Sequence, residues 1–471
     1  MRNSSSLENV FDRARFANLV LGIFVVCWLS LICEPGQAQT GGMQAQIPAS
    51  EYNALVDLYN STGGASWSNN AGWLDPKADS WDRIDLMFGH VAGIYLSGNH
   101  LVGTIPSSAG SFPAVFNFEL ADNQLTGNIP ASLGSLSNAV WLYLDHNQLS
   151  GGIPDSLGNL TQLQELNLSA NRLTGSIPDS FGNFGQLQRL DLSQNQLSGT
   201  IPSTLSNASS LNFIMLFDNQ LSGSIPASLG DLPTTQYIDF HGNRLTGTIP
   251  DSLGGNLSLY WLDLGDNQLT GTIPSSIGTD PQLQYLDLST NQLSGNIPAA
   301  LGSLTYMIWL YLDGNQLSGT IPTNLGTLGS SFYGPLRSLG LSNNHLSGDV
   351  PDFSGFQHAS LDFSFNDLNI APGSRSFSNI TAMIKAGNTV NFIPQHVSRG
   401  LTVGPIHFLS GAAPQVGLSG VVGQTYTIQA STDLTNWAAL ANVTLTNMTA
   451  QFLDASATNY PIRFYRAVVS Q

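Results

Sequence analysis

An asparagine returns every 24 residues ten times in succession, at Asn99, Asn123, Asn147, Asn171, Asn195, Asn219, Asn243, Asn267, Asn291 and Asn315. A fixed period of this length means one small structural unit stacked on copies of itself, which a chain of 471 residues needs because it exceeds what a single core organises. Around each asparagine the same frame recurs, as in Leu163-Gln164-Glu165-Leu166-Asn167-Leu168-Ser169-Ala170-Asn171-Arg172-Leu173-Thr174-Gly175-Ser176-Ile177-Pro178. Leu166-Asn167-Leu168 alternates apolar with polar residues, the period of a strand buried on one side. Each unit therefore supplies one short strand, and successive strands stack into a parallel sheet about 4.8 Å apart. The asparagine amide, turned inward, satisfies backbone groups that a tight corner leaves unpaired. Gly103, Gly127 and Gly175 permit the turn, and the Ile-Pro steps close each coil in extended conformation. The ladder runs on to Asn344 after a step of 29 residues and to Asn366 after one of 22, so an insertion is expected near Gly329 to Pro335.

This frame, with L-S-G-x-I-P in place of a helix-forming return, resembles the plant-type leucine-rich repeats of receptor ectodomains and of polygalacturonase-inhibiting proteins. The resemblance covers roughly Val91 to Pro372. It implies a leucine-rich-repeat solenoid: a parallel β-sheet on the concave face, mostly irregular or 3₁₀ return segments, an amino-terminal helical cap and, beyond the repeats, a small all-β domain. It also implies that residues six, four and two before each asparagine lie side by side on the exposed concave sheet. The first row then reads Trp141, Glu165, Arg189, Phe213, Tyr237, Trp261, Tyr285 and Trp309. The second reads Tyr143, Asn167, Asp191, Met215, Asp239, Asp263, Asp287 and Tyr311, and the third Asp145, Ser169, Ser193, Phe217, His241, Gly265, Ser289 and Asp313.

Tyr237, Trp261, Tyr285 and Trp309 form an unbroken aromatic row beside Asp239, Asp263 and Asp287. Solvent-facing rings in a row point to a partner. With Trp141, Tyr143, Phe213 and Tyr311 they make the expected ligand-binding surface, suited to the C–H faces and hydroxyls of a polysaccharide or to aromatic and basic side chains of a protein. The competing reading is that the rings stabilise the sheet by cross-strand stacking. An enzyme is not expected, because an open shallow sheet gives too little burial to separate the pKa values of paired carboxylates. No cofactor is expected, nor a metal: no EF-hand-like loop appears, and His241 has no Cys or His partner at ligand spacing. The hydroxyl-rich row Thr104, Asn128, Ser176, Thr200, Ser224, Thr248, Thr272, Asn296 and Thr320 suits ordered water, but a second short strand at the coil edge accounts for it. P-loop, dinucleotide, nucleophile-elbow and zinc motifs are absent from the sequence.

A solenoid needs caps. Upstream, Ser50 is placed to cap a helix with a Tyr52, Leu55, Val56 and Tyr59 stripe ending at Gly63-Gly64. Trp67, Trp73 and Trp81 are expected as cap core. The stretch Ala54 to Gly64 resembles the cap preceding such repeats, although the cysteine pair common in plant versions is missing. From about Pro405, Thr425 to Ala430 and Arg463 to Val469 alternate as strands of a small β module. Ser431 to Trp437 and Arg463 to Arg466 resemble motifs of secreted bacterial β modules.

Arg2, Arg13 and Arg15, the apolar run Leu19 to Ile32 and the small-residue site Gly36-Gln37-Ala38 read as a secretory signal cleaved near Ala38. An uncleaved anchor and lipidation at Cys33 are alternatives, but the run is short of the ~20 residues that span a bilayer, and Ile32 is bulky where lipidation wants a small residue. Cys27 and Cys33 fall in this segment, leaving the mature chain no disulfide. With 14 basic against 31 acidic residues and a net charge of −17, nucleic acid and anionic lipid are excluded as partners, and no integral membrane segment is expected in the mature chain. The expected organisation is a signal over 1–38, a cap over 39–90, repeats over 91–372, a closing segment and linker over 373–404 and a β module over 405–471. The expected function is that of a secreted or cell-surface recognition protein for an extracellular protein or polysaccharide. The alternatives are an inhibitor of a polysaccharide-degrading enzyme and a structural or adhesive surface protein.

Overall fold

The computed structural model describes residues 46–392 apart from 76–79, 331–334 and 371–372, then Gln395 and the segments 402–407, 415–419, 425–432, 436–444, 449–454 and 464–469. The segment expected as a secretory signal, both cysteines and most of the insertion expected before Pro335 lie outside the described residues.

Three-residue strands such as Trp141–Tyr143, Glu165–Asn167 and Trp261–Asp263 come one per coil and pair in parallel into a sheet of 14 strands. The pairing never slips between Asn117 and Tyr311, so residues 24 apart in sequence face each other across every strand pair. The middle leucine or isoleucine of each strand is fully buried, as at Leu166, Leu190, Ile214, Ile238 and Leu286. A one-residue slip would turn that leucine outward, which fixes the register. Each coil returns through a 3₁₀ turn following Pro, for instance Asp155–Asn159 after Pro154 and Ala227–Asp231 after Pro226. Proline is pre-set for this entry and has no N–H to leave unpaired.

The asparagine ladder carries the polar interior. Asn171 Nδ2 donates to the carbonyls of Leu144, Leu168 and Ser169, at 3.0, 3.1 and 3.1 Å, and its Oδ1 accepts from Leu149 N–H at 2.9 Å. The same set recurs at Asn147, Asn195, Asn219, Asn243, Asn267, Asn291, Asn315 and Asn344, and Asn123 also accepts from Asn99 N–H. These bonds hold a corner whose preceding residue takes the left-handed conformation even when it carries a side chain, as His146, Ala170, Gln194 and Asp218 do. The later glycine, with φ near +75° at Gly127, Gly151 and Gly223, is the second left-handed position of each coil. Beside it run second sheets whose strands take in Thr104, Asn128, Ser224, Asn296 and Thr320, while Ser176, Thr200 and Thr272 lie outside any strand and Thr248 makes an isolated bridge, so the row occupies a second strand in part.

The ends differ in detail from expectation. The helix spans Ala49–Ser61 and is entered from Pro48, with no side-chain cap from Ser50. Its buried stripe is Glu51, Ala54, Leu55 and Leu58, while Tyr52, Val56 and Tyr59 pack against the core part-exposed. Glu51 is tolerated inside because His90 Nδ1 meets its carboxylate at 2.6 Å and Val91 N–H donates to it at 2.7 Å. Trp67, Trp73 and Trp81 are buried against one another and Tyr59. Hairpin Ile84–Met87 with His90–Tyr95 starts the large sheet. Where the sequence suggested a closing segment and linker, helix Arg375–Lys385 and strand Thr389–Asn391 add one more coil to the sheet. Gln395 stands in for asparagine there, donating to the carbonyls of Phe363 and Phe392 and accepting from Leu368 N–H. Further on, strands Thr402–His407, Gln415–Ser419 and Thr449–Leu453 form one antiparallel sheet, and Ala438–Thr444, Thr425–Ser431 and Phe464–Val469 another. No described helix is long and apolar enough to cross a membrane.

Candidate functional site

Strand pairing places Trp141, Phe213, Tyr237, Trp261, Tyr285 and Trp309 in one row of the concave sheet, and Tyr143, Asp239, Asp263, Asp287 and Tyr311 in the next. Glu165 and Arg189 interrupt the first row, so Trp141 and Tyr143 sit apart from the run that starts at Phe213. Within that run the rings lean on each other. Tyr237 stacks on Trp261 at 5.2 Å and 15°, Trp261 on Tyr285 at 3.6 Å and 1°, and Tyr285 meets Trp309 at 6.2 Å and 52°. All four are half-buried, not fully solvent-facing as the sequence pattern suggested. Because the faces of Trp261 are covered by its neighbours, the row offers ring edges, and the flat platform a sugar ring stacks on is not open at its centre.

The carboxylates depart further from expectation. Asp239, Asp263 and Asp287 are 4, 7 and 6% exposed. The rings beside them exclude water, and Tyr285 Oη lies 3.3 Å from a carboxylate oxygen of both Asp263 and Asp287. The premise that this sheet is too open to perturb a carboxyl is therefore corrected. Burial first, then the charges of Asp239 and Asp287, hold Asp263 well above the usual carboxylate range, against smaller pulls from His241 and Gly265 N–H. Burial and the charges of Asp263 and Asp287 likewise raise the Tyr285 phenol, which stays a donor. Burial alone would lower the His241 imidazole, but its hydrogen bond to Asp239 and the charges of Asp239, Asp263 and Asp218 outweigh this and push it up to about 9.

His241 is the residue whose role the sequence pattern missed. It has no Cys or His partner at ligand spacing in the sequence, but the fold sets it among carboxylates from three successive coils. Its Nδ1 is 2.8 Å from Asp239 and 4.0 Å from Asp263, its Nε2 is 3.6 Å from Asp218, and its ring stacks on Phe217 at 4.9 Å and 9°. The available signal was its place in the third row, where Ser169, Ser193 and Ser289 stand in other coils. Towards the amino end Arg189 supplies the base instead, 3.3 Å from Glu165 and 3.6 Å from Asp191, with its guanidinium 6.0 Å from the Phe213 ring centre. Tyr143 donates to Glu165 at 2.6 Å.

Sheet, coil length and asparagine ladder together define a leucine-rich-repeat protein. Leucine-rich-repeat families match residues 153–197 and 257–317, and again 138–160, 234–256, 307–328 and 335–356. Within that class this chain belongs to the plant-type leucine-rich repeats. It is similar to the ectodomain of the Arabidopsis thaliana membrane receptor kinase GASSHO1/SCHENGEN3, solved with CASPARIAN STRIP INTEGRITY FACTOR 2, at 31% identity over 73% of this chain and 44% of that one, with a TM-score of 0.64. It is also similar to the Arabidopsis receptor kinase HAESA, solved with the peptide hormone IDA and the co-receptor SERK1, at 32% identity over 67% and 55% with a TM-score of 0.58. A plant ice-binding protein matches at 29% identity over 60% of this chain and 92% of its own, with a TM-score of 0.53. The chain thus spans about half the length of the two receptor ectodomains. No curated protein matches it significantly.

Proposed function

We propose that this chain is an exported recognition protein whose concave sheet binds an extended polypeptide segment. The observation that carries the reading is the ladder from Phe213 to Trp309, in which ring edges, buried carboxylates and the Tyr285 hydroxyl form one continuous row across successive coils. An extended chain laid across parallel strands meets such a row with aromatic or basic side chains. Two similar ectodomains were solved with CASPARIAN STRIP INTEGRITY FACTOR 2 and with the peptide hormone IDA, which favours a polypeptide over a polysaccharide. Binding is favoured over catalysis because each carboxylate already has a partner within its own coil: His241 for Asp239, Gly265 N–H for Asp263 and Ser289 N–H for Asp287.

The test selects binders to the native chain from a displayed peptide library and measures them against a Trp261→Ala, Trp309→Ala variant, with a glycan array in parallel. Peptides that lose at least tenfold affinity and a blank array support the reading. Peptides indifferent to the substitution, or glycan binding that depends on it, overturn it.

A second reading rests on the ice-binding protein whose length this chain nearly covers. In the second sheets, Thr126, Ser222 and Thr270 hydroxyls donate to the glycine carbonyl of the preceding coil at 3.0, 3.2 and 3.3 Å, making a regular uncharged row. Ice recrystallisation assays of the native chain and of Ser222→Lys, Thr270→Lys decide it: inhibition lost in the variant supports it, and no inhibition by the native chain removes it.

A further inference from the structure

In the repeat, the position two before the ladder asparagine has a standard use. Ser169 donates to Asn167 Oδ1 at 2.8 Å, Ser193 to Asp191 Oδ1 at 2.6 Å and Ser364 to Asp362 Oδ1 at 2.7 Å, so a hydroxyl of the same coil satisfies the side chain beside it. Asp145, Phe217 and Asp313 stand at this position in other coils, and two adjacent coils depart from the arrangement beside buried aspartates. His241 replaces serine beside Asp239, and Gly265 leaves nothing beside Asp263, where even a methyl would come within 3.2 Å of Asp263 Oδ1 and 3.1 Å of Asp287 Oδ1. The departure removes two hydroxyls and adds one imidazole at the place where three buried carboxylates follow one another.

We propose that Asp239, His241 and Asp263 form a binding site for a divalent transition-metal ion, of which zinc is the best match, bridging two neighbouring coils of the concave sheet. One nitrogen and two oxygen donors from these side chains all lie within 4.8 Å of one another. Bonds of about 2.1 Å to nitrogen and oxygen bring ligand atoms about 3 to 4 Å apart, and the His241 Nδ1 to carboxylate separations of 2.8 and 4.0 Å bracket that range. The donor set of one imidazole and two carboxylates suits a borderline metal over calcium, which prefers six to eight oxygens.

Two features outside the ligand set prepare it. The Phe217 ring lies flat against the imidazole and fixes its plane. Asp218 faces the far nitrogen, so that when Nδ1 gives up its hydrogen to coordinate, the proton resides on Nε2 towards that carboxylate, the usual support for a metal-bound imidazole. The ion also adds positive charge beside a row of aspartates whose only nearby base among the described residues is this histidine.

The experiment titrates Zn²⁺, Co²⁺ and Ca²⁺ separately into the chelator-treated full chain by calorimetry, and records the visible spectrum of the Co²⁺ form. The expected result is one Zn²⁺ per chain, a Co²⁺ spectrum of mixed nitrogen and oxygen ligation, and a melting temperature that rises with Zn²⁺. His241→Ala should weaken Zn²⁺ at least a hundredfold, and Asp263→Asn at least tenfold, each with unchanged circular dichroism. His146→Ala, another histidine paired with an aspartate, should leave binding as it was. No Zn²⁺ or Co²⁺ binding by the native chain, binding indifferent to His241→Ala, or selective uptake of Ca²⁺ would each overturn the site. Peptide capture is measured with and without Zn²⁺, so that loss of the metal site and loss of the recognition reading are scored separately.

Discussion

Two stretches of one sheet, written in nearly the same words, carry their polar groups in different ways. Around Leu166 and Leu190, Arg189 lies between Glu165 and Asp191, and the buried positions after the 3₁₀ turns, Leu160, Phe184 and Ala208, are apolar. Around Leu262, the buried Asp239 and Asp263 share one imidazole, and Asp287 is met by the Tyr285 hydroxyl and Ser289 N–H. The post-turn position there holds Asn256 and Asp280, both buried, while Leu257 beside them is 60% exposed. A repeat fixes the backbone and the register, and it leaves each coil free to balance its own charges. The amino-terminal stretch balances them with an arginine; the carboxy-terminal stretch leaves them to aromatic cover, protons and, on our proposal, a metal ion.

The sharpest way to break this contrast is to make the first stretch resemble the second. Arg189→Met leaves Glu165 and the buried Asp191 without their cation and should cost about 3 kcal/mol in urea unfolding at pH 7, shrinking in acid as the carboxylates take up protons. The second change works the other way. Burial raises Asp280 to about 6, with one carboxylate oxygen lacking any partner. The folded pKa lies above the ordinary 3.8, so ionising this group destabilises the fold progressively from about pH 4 upwards and fully above pH 6. Asp280→Asn should therefore stabilise by about 2 kcal/mol at pH 8 and by nothing at pH 4, read from melts at the two pH values. A third change restores the repeat wording. Asn256→Leu with Leu257→Asn puts the apolar side chain inside, as Leu232 and Leu304 are, and should stabilise by about 1 kcal/mol after losing the Asn256 bond to the Leu232 carbonyl. Smallest is Thr126→Ala in the second sheet, where an exposed coil-to-coil hydrogen bond is lost and unfolding should shift by under about 0.5 kcal/mol.

Much of this was written in the sequence. The 24-residue return of asparagine dictates the coil, because its inward amide satisfies several corner carbonyls at once, and alternation about each leucine dictates which side chains share the concave face. The rows of candidate residues followed from that spacing together with the resemblance to plant-type leucine-rich repeats. What period and alternation do not encode is how side chains in one row settle against each other. Whether Trp261 presents a face or an edge depends on Tyr237 and Tyr285, 24 residues to either side, and whether Asp263 is wet or dry depends on the same rings. The coil formed by helix Arg375–Lys385 and closed by Gln395 was hidden for a related reason: its spacing and its amide differ from the repeat, yet the same carbonyls are met.

The sequence by itself determined the solenoid, its register and its roster of outward residues, since these follow from local periodicity and the need to pair every buried peptide group. Only the tertiary structure decided burial, stacking and the company of His241, because solvent exclusion and Coulomb coupling are properties of neighbours across coils. A chain read one residue at a time does not contain them.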